Sequence, residues 1–422
     1  MHLLLCEGAF FYQGQANSLL PIPLSPTGKA VLRFLTSGES HGKALSVVIE
    51  GLPADIPLHP EAINRDLARR QISYGRGKRM EIEEDRVEII AGVRWGKTLG
   101  SPLCLVIPNR DWIHWQTAMS INDADADSSL RVTRPRPGHA DLAGALKYHQ
   151  KDLRNILERS SARETAARVA VGAICRCLLS EFRIHIFSHT IAIGGISVEL
   201  SGKSLPEIVS LSESSDLRCA DENAEKKMKA CIDGAKEKGD TLGGVAEILV
   251  TGAPPGLGSH VHWDRKLDGR IAQSLMSIQA VKGVEIGLGF ESARCLGSQV
   301  HDEIFYSGAF QNERTSGFYR KTNNAGGIEG GITNGEPLVI RCAMKPIPTL
   351  MSPLGSVDII SKQPMEATVE RSDICRVPSL GVIAEAAVIF EVAQAFLEKF
   401  GGDYIDEIKT RYKNYLQTLR DF

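Results

Sequence analysis

Two histidines lie in short segments bounded by glycine or proline, where a rigid backbone could hold them for acid–base chemistry. His41 is part of GESHG at residues 38–42, directly before an apolar strand. His139 is part of TRPRPGHAD at residues 133–141, where two prolines restrict the backbone and Arg136 is close by. Imidazole is the side chain that most often transfers protons near neutral pH. Both histidines are therefore candidate general acids, although a single histidine is more often structural.

Positive charge is concentrated in residues 65–79, which include the end of the first predicted helix and the residues after it. The second half of this segment, SYGRGKR at residues 73–79, is too rich in glycine for a stable helix and is expected to form a loop. Arginines on such a loop can converge on one phosphate or carboxylate, because each guanidinium presents a planar fork of donors. A solvated basic face is the alternative, and RNA binding is a weaker one because Tyr74 is the only aromatic residue there. The basic side chains of the whole segment are Arg65, Arg69, Arg70, Arg76, Lys78 and Arg79.

The segment from Arg159 to Glu164 has the pattern of a helix start. Ser161 and Glu164 have the spacing of a capping box, and small apolar residues recur at helical spacing from there to about Phe182. Free backbone N–H groups at the helix start, flanked by Arg159 and Arg163, predict an anion site. An ordinary capped core helix has the same pattern, so that alternative stays open.

Three later segments add backbone and side-chain groups that a ligand could contact. Residues 323–331 (NNAGGIEGG) form a glycine-rich loop that is neither a dinucleotide fingerprint nor a P-loop. Residues 345–349 (KPIPT) form a stiff strand end that bears one cation and one hydroxyl group. Arg371 and Asp373 place a cation beside a carboxylate.

Composition restricts the class of protein. The 422 residues include 49 Lys+Arg and 51 Asp+Glu, a net charge of −2 that argues against a protein whose whole surface binds nucleic acid. No uninterrupted run reaches the roughly 18 apolar residues of a membrane helix. The nine cysteines include no C-x-x-C pair and are expected to be buried thiols of a reducing, cytoplasmic compartment. No metal site is predicted.

The predicted elements that must position these side chains alternate between strands and helices. A strand, a glycine turn and a helix occur at residues 44–71, and a similar layout occurs at residues 245–278. This faint repeat predicts two pseudo-equivalent halves around one core. Asp141 is expected to cap a helix that starts at Leu142. A further apolar helix from Ile383 to Phe400 is expected to stop at Gly401-Gly402.

The first 30 residues differ from the remainder. They lack the basic start and the small-residue cleavage site of a secretory signal, and clear patterning begins at Val31. We therefore expect residues 1–30 to be a disordered extension or an artefact of the chosen start site. Residues 31–422 are expected to form a single α+β domain.

Taken together, these motifs resemble the chorismate synthase family from about Leu32 to about Phe400. Seven segments in the same order carry the resemblance: 38–42, 70–79, 134–141, 159–164, 323–331, 345–349 and 371–373. The resemblance implies conversion of 5-enolpyruvylshikimate-3-phosphate into chorismate and phosphate by a 1,4-anti elimination. It also implies a requirement for reduced FMN without net redox change. The implied fold is a β-α-β sandwich with a helical core between two antiparallel sheets, assembled as a homotetramer.

The resemblance also implies roles for individual residues. His41 matches the acid that protonates the departing phosphate, His139 the acid that protonates reduced flavin, and Asp373 the base that assists removal of the substrate proton. Substrate-binding positions are Arg70, Arg79, Arg136 and Arg163, and those for a nicotinamide nucleotide such as NADP are Arg70 and Arg76. Flavin-binding positions are Arg159, Ser160, Ser161, Gln279, Ala280, Gly330, Lys345, Pro346, Ile347, Pro348, Thr349 and Arg371.

Two departures from the family pattern are the N-terminal extension and Ile374 after the Arg371–Asp373 motif. The long insertions of self-reducing, bifunctional members are missing, so the chain is expected to be a monofunctional bacterial type that depends on an external flavin reductant. Neither a nucleic-acid partner nor a membrane is expected. Two other interpretations stay open at this point. One is a non-catalytic protein that binds phosphorylated ligands or RNA, and the other is a flavin oxidoreductase with a different substrate.

Overall fold

The computed structural model describes residues 32–74, 84–308, 316–370 and 373–422. It contains two large antiparallel sheets, and strands with alternating apolar residues form the first of them. In the strand Ala44–Glu50, the side chains of Leu45, Val47 and Ile49 are fully buried on one face. The strand order of this sheet is β1-β2-β7-β4. Its strands are β1 (Arg33–Ser37), β2 (Ala44–Glu50), β4 (Glu88–Ala91) and β7 (Leu103–Pro108).

The second sheet has five strands in the order β11-β16-β10-β8-β9, and every pairing in it is antiparallel. Its central strand buries Ala246, Ile248 and Val250 on the side that faces the helices. The strands are β8 (His185–Ile193), β9 (Ile196–Ser197), β10 (Gly244–Thr251), β11 (Val281–Ile286) and β16 (Leu338–Met344).

A helical layer separates the two sheets. Its helices are α1 (Pro60–Gln71), α4 (Thr165–Ser180), α7 (Leu267–Met276) and α9 (Val377–Phe400). Helix α4 contacts β2 of the first sheet, and α9 contacts β8 and β10 of the second. Helices α4 and α9 approach each other closely because Gly172 faces Ala386: a Cβ atom at Gly172 would lie 2.4 Å from that of Ala386. The predicted α+β sandwich with a helical core is confirmed.

By length and composition α9 could cross a membrane, which a count of uninterrupted apolar residues did not reveal. However, 83% of its most apolar window is buried inside the protein, between α4 and the second sheet. It is therefore the central helix of the core. It begins at Val377, earlier than the predicted Ile383, because Pro378 is tolerated in a first helical turn. It ends at Phe400, before Gly401, as predicted.

The other long core helix also differs from its prediction at the N-terminus. Ser161 caps a short 3₁₀ turn, Ala162–Glu164, through a hydrogen bond from the backbone N–H of Arg163, and α4 starts after it at Thr165. The predicted capping box does not form, because the Glu164 carboxylate binds Gln279 and Arg168 instead. Tertiary partners thus replace the local pattern at this helix start.

Shorter elements connect these layers. The remaining helices are α2 (Asp141–Tyr148), α3 (Arg154–Ser160), α5 (Leu205–Ser214), α6 (Glu222–Glu237), α8 (Gly297–Val300) and α10 (Ile405–Arg420). The remaining strands are β3 (Ala54–Pro57), β5 (Val93–Arg94), β6 (Lys97–Leu99), β12 (Ile304–Tyr306), β13 (Phe318–Arg320), β14 (Ile328–Glu329), β15 (Ile332–Thr333), β17 (Gly355–Val357) and β18 (Pro364–Glu366). The proposed start-site artefact at residues 1–30 lies outside the described residues.

Candidate active site

A cavity of about 520 Å³ lies at one end of the helical layer, where loops from both sheets meet the first turns of α9. Most of the residues singled out from the sequence line this central cavity, although they come from distant parts of the chain. Those residues are His41, Arg70, Arg136, His139, Ser160, Ser161, Arg163, Gln279, Ala280, Lys345, Ile347, Pro348, Thr349 and Asp373.

The His41 group comprises His41, Glu158, Arg154 and Trp115. The Nδ1 atom of His41 lies 2.9 and 3.0 Å from the two carboxylate oxygens of Glu158, and the backbone N–H of His41 donates to Oε2 at 2.8 Å. Arg154 donates to the same carboxylate at 2.9 Å. The Trp115 ring stacks on the imidazole with 3.9 Å between ring centroids. The Glu158 carboxylate and the Trp115 ring therefore fix the orientation of a buried imidazole.

Burial by itself would raise the pKa of Glu158. The hydrogen bonds from His41 and the positive charges of His41 and Arg154 outweigh this, so that the pKa lies below the usual value. Glu158 is consequently ionised at neutral pH and can only accept hydrogen bonds. Glu158 was not predicted as a site residue, although it directly precedes the segment that begins at Arg159.

The His139 group comprises His139, Asp141, Arg136 and Thr349. Nδ1 of His139 lies 2.5 Å from the Asp141 carboxylate, which also accepts a hydrogen bond from Nε of Arg136 at 2.8 Å. Arg136 donates to Thr349 at 3.1 Å as well. Asp141 is the first residue of α2, and its carboxylate binds Arg136 and His139, so the predicted N-terminal cap with a helix start at Leu142 is wrong. Despite burial, which acts in the opposite direction, these two partners hold the pKa of Asp141 far below its usual value.

Two of the predicted substrate arginines share one buried carboxylate. Asp85 accepts from Arg163 at 2.5 Å through Oδ1 and from Arg70 at 3.3 Å through Oδ2. Arg70 also donates to the hydroxyl of Thr165, and Arg163 donates to the side chain of Asn109 at 2.9 Å. These contacts hold both guanidinium groups at the cavity wall. No sequence signal pointed to Asp85, because it lies in an ordinary acidic stretch.

Asp373 lies in the cavity wall and accepts a hydrogen bond from Arg376 at 2.9 Å. Arg376 directly precedes α9 and also lines the cavity, so the segment before that helix carries both partners into the cavity wall. Within the described ranges no group of side chains has the composition of a metal site.

One part of the cavity wall offers contacts that suit a flavin. Gln279 donates to Glu164 at 2.9 Å, while its buried side-chain oxygen has no partner among the described residues and could accept a ring N–H. Lys345 and Lys282 line the same wall, where burial and then the charge of Lys282 lower the pKa of Lys345. Two cations and an unpaired acceptor fit a ligand that carries both a phosphate and a ring N–H, so the residues present fit FMN.

Three predicted flavin positions do not line the cavity. The guanidinium group of Arg159 donates to the backbone oxygens of Gly38 and Thr36. Gly330 lies at the turn between β14 and β15, and Pro346 is not part of the cavity wall although its neighbours are. The predicted site residues Arg76, Arg79 and Arg371 lie outside the described residues.

Comparisons with known proteins agree on one family. A family model described as chorismate synthase matches residues 32–397. A chorismate synthase of Geobacter sulfurreducens is 60% identical over 393 residues, which are 93% of this chain and 100% of the relative. One from Aquifex aeolicus is 55% identical over 399 residues, covering 93% of this chain and 99% of the relative.

A solved structure gives the same answer at the level of the fold. A crystal structure of chorismate synthase superposes with a TM-score of 0.75 at 47% sequence identity, covering 93% of this chain and 99% of that one. The chain therefore belongs to the chorismate synthase family and is a carbon–oxygen lyase of aromatic amino acid biosynthesis.

Proposed function

We propose that the central cavity binds 5-enolpyruvylshikimate-3-phosphate beside reduced FMN and catalyses the 1,4-anti elimination of phosphate to give chorismate. The observation that carries this proposal is that one cavity contains His41, His139 and Asp373 together with Arg136 and Arg163. A protein that only bound phosphorylated ligands would need the arginines. It would have no use for two histidines that are each held by a carboxylate.

The arginines suit the charge of the substrate, which carries one phosphate and two carboxylates. Arg136 and Arg163 line the cavity, and Arg70 lies beside them with Asp85 behind it. Charge-assisted hydrogen bonds from guanidinium groups orient an oxyanion as well as binding it. Arg79 is proposed as a further contact from its sequence position.

The three candidate catalytic residues have separate proposed roles. His41 donates a proton to the departing phosphate, and its ring is already oriented by Glu158 and Trp115. Asp373 is the base beside the substrate proton that is lost. His139 would hold the proton that is passed to reduced FMN when the cofactor is bound, and Asp141 orients its ring through Nδ1.

Reduced FMN, when bound, supplies the electron-rich ring that allows the elimination to proceed without net redox change. We propose Gln279, Lys345, Ile347, Pro348 and Thr349 as its main contacts, with Ser160, Ser161 and Ala280 beside them. Pro346, Arg159, Gly330 and Arg371 are further flavin positions that we propose from their places in the sequence alone, since the first three do not line the cavity. The reductant is proposed to be external, and Arg70 and Arg76 are the positions proposed for a nicotinamide nucleotide.

A homotetramer and a cytoplasmic location complete the proposal. Sedimentation of the purified protein tests the first. The location is supported by the eight cysteines of the described ranges, which are all free thiols, as expected in a reducing compartment.

An anaerobic assay tests the proposed reaction directly. Enzyme, reduced FMN and substrate are mixed, and released phosphate and remaining reduced FMN are both measured. Catalytic phosphate release without consumption of the reduced flavin is expected. Stoichiometric flavin oxidation would favour an oxidoreductase, and an absence of phosphate release would contradict the proposal.

A further inference from the structure

We infer that Glu158 is a positioning residue for the reaction, which holds His41 with a proton on Nδ1 so that Nε2 serves as its working nitrogen. The inference rests on the role proposed above for His41. Glu158 itself does not line the cavity, and it reaches the chemistry through the imidazole.

The contacts of Glu158 define one orientation of the ring. Its two oxygens accept hydrogen bonds from Nδ1 and the backbone N–H of His41, and Oε1 also accepts one from Arg154. The backbone oxygen of Glu158 also accepts the N–H of Ser40 at 3.1 Å. The side chains of Glu158 and His41 are 2% and 7% exposed, so little water competes for these bonds.

The ionised state of Glu158 then assigns the tautomer of His41. An ionised carboxylate can only accept, so the Nδ1 atom at 2.9 Å must carry a hydrogen. In the neutral ring the lone pair therefore lies on Nε2, and in the charged ring Nε2 carries the second proton. Nε2 has no partner within the described ranges, while the ring lines the cavity. A proton leaving Nε2 for a phosphate oxygen would leave the neutral ring still bound to Glu158.

A third group of the same composition shows what a purely structural arrangement looks like. His189 on β8 lies 3.1 Å from Glu247 on β10, and Glu247 accepts from Arg341 on β16 at 3.0 Å. None of the three lines the central cavity. Glu247→Gln is therefore a matched control for Glu158→Gln, because it breaks a histidine–carboxylate–arginine group away from the site.

The experiment combines ¹⁵N-histidine NMR with kinetics on the full chain. The His41 signals are identified by their loss in His41→Asn. In the parent protein we expect Nδ1 to be protonated. In Glu158→Gln we expect the two tautomers to mix and kcat to fall by about 10- to 100-fold, the range found for outer carboxylates that orient metal-bound histidines, with KM little changed. Glu158→Asp should recover part of the loss, and Glu247→Gln should leave kcat unchanged.

Several outcomes would overturn the inference. They are a neutral His41 protonated on Nε2 in the parent protein, an unchanged His41 spectrum in Glu158→Gln, and an equal loss of kcat in Glu247→Gln. The spectrum of the parent protein tests the predicted His41 tautomer even if Glu158→Gln fails to fold. It needs no substrate, so failure of the inference is distinguishable from failure of the proposed reaction, which would appear as no phosphate release by the parent enzyme.

Discussion

The His41 and His139 groups combine the same three kinds of side chain in different ways. Each contains an imidazole whose Nδ1 faces a buried carboxylate, and each carboxylate also accepts from an arginine. In the His139 group the arginine lines the cavity and approaches the imidazole at 3.1 Å. In the His41 group the arginine stays behind the carboxylate and lies over Trp115.

This difference separates two ways of holding a proton donor. His139 shares its carboxylate with a guanidinium group that is itself a candidate ligand contact, so the proposed proton transfer and anion binding would be coupled there. His41 is held by residues that do not line the cavity, and its ring has Nε2 available. In the proposed mechanism, orientation and ligand binding would thus be performed by the same residues in the His139 group and by different residues in the His41 group.

The largest expected effect is loss of either imidazole. His41→Ala and His139→Ala should each lower turnover by about 10²- to 10⁴-fold, the usual contribution of a general acid. His41→Ala should slow phosphate release, whereas His139→Ala should change the absorption spectrum of bound reduced FMN before turnover. Anaerobic stopped-flow spectroscopy distinguishes the two. Full activity, or a loss explained by a lower melting temperature, removes that residue from the mechanism.

A buried charge cluster outside the cavity provides a contrast in stability. Glu385 on α9 is fully buried and accepts from Arg69, Arg176 and Arg218. Glu385→Gln should cost about 3 kcal/mol or more of unfolding free energy, because it leaves buried cations without their partner. Turnover of the folded fraction should be unchanged, and parallel chemical denaturation and assays check both.

The same cluster predicts the direction of a pH effect. Burial acts to raise the pKa of Glu385, but the three arginines lower it to about 2 from an ordinary value of 4.5. Its contribution to stability is therefore fully present above pH 4.5 and is lost as the pH falls toward 2. The stability difference between the parent protein and Glu385→Gln should shrink over that interval, and a constant difference would contradict the assignment.

Arg136 and Arg154, the arginines of the His139 and His41 groups, should differ in how much their replacement lowers kcat/KM. Arg136→Lys removes the paired hydrogen bonds to Asp141 and the contact with Thr349, which lysine cannot reproduce. A loss of about 10- to 100-fold in kcat/KM is expected, since bonds to charged groups contribute about 1.5–3 kcal/mol each. Arg154→Lys should cost less than about 10-fold, because that arginine does not line the cavity. Equal losses in the two variants would remove the distinction between the groups.

The smallest expected effect concerns the ring that covers His41. Trp115→Leu keeps an apolar side chain but removes the stacking, which is worth about 0.5–1.5 kcal/mol for aromatic pairs. Turnover should fall by no more than about 10-fold, and the spectrum of bound reduced FMN should not change. A spectral change would mean that Trp115 also affects the His139 side of the cavity.

The helices and strands that carry both groups were largely predictable. Alternation at Leu45, Val47 and Ile49, and helical spacing with a glycine stop at Gly401, indicate elements that the structure contains. Errors occurred at helix starts, where Glu164 and Asp141 have long-range or loop partners that a local capping rule does not consider.

The local sequence brings three members of the His139 group together, because Arg136, His139 and Asp141 lie within six residues of a segment that two prolines stiffen, whereas Thr349 comes from a distant part of the chain. The partners of His41 and Arg163 were decided by the tertiary structure. Glu158 is 117 residues from His41, and Asp85 is 78 residues from Arg163. Hydrophobic burial is not directional, so an apolar pattern specifies which faces turn inward. It does not specify which loop ends meet beyond them, and those contacts follow only once both sheets have packed on the shared helices.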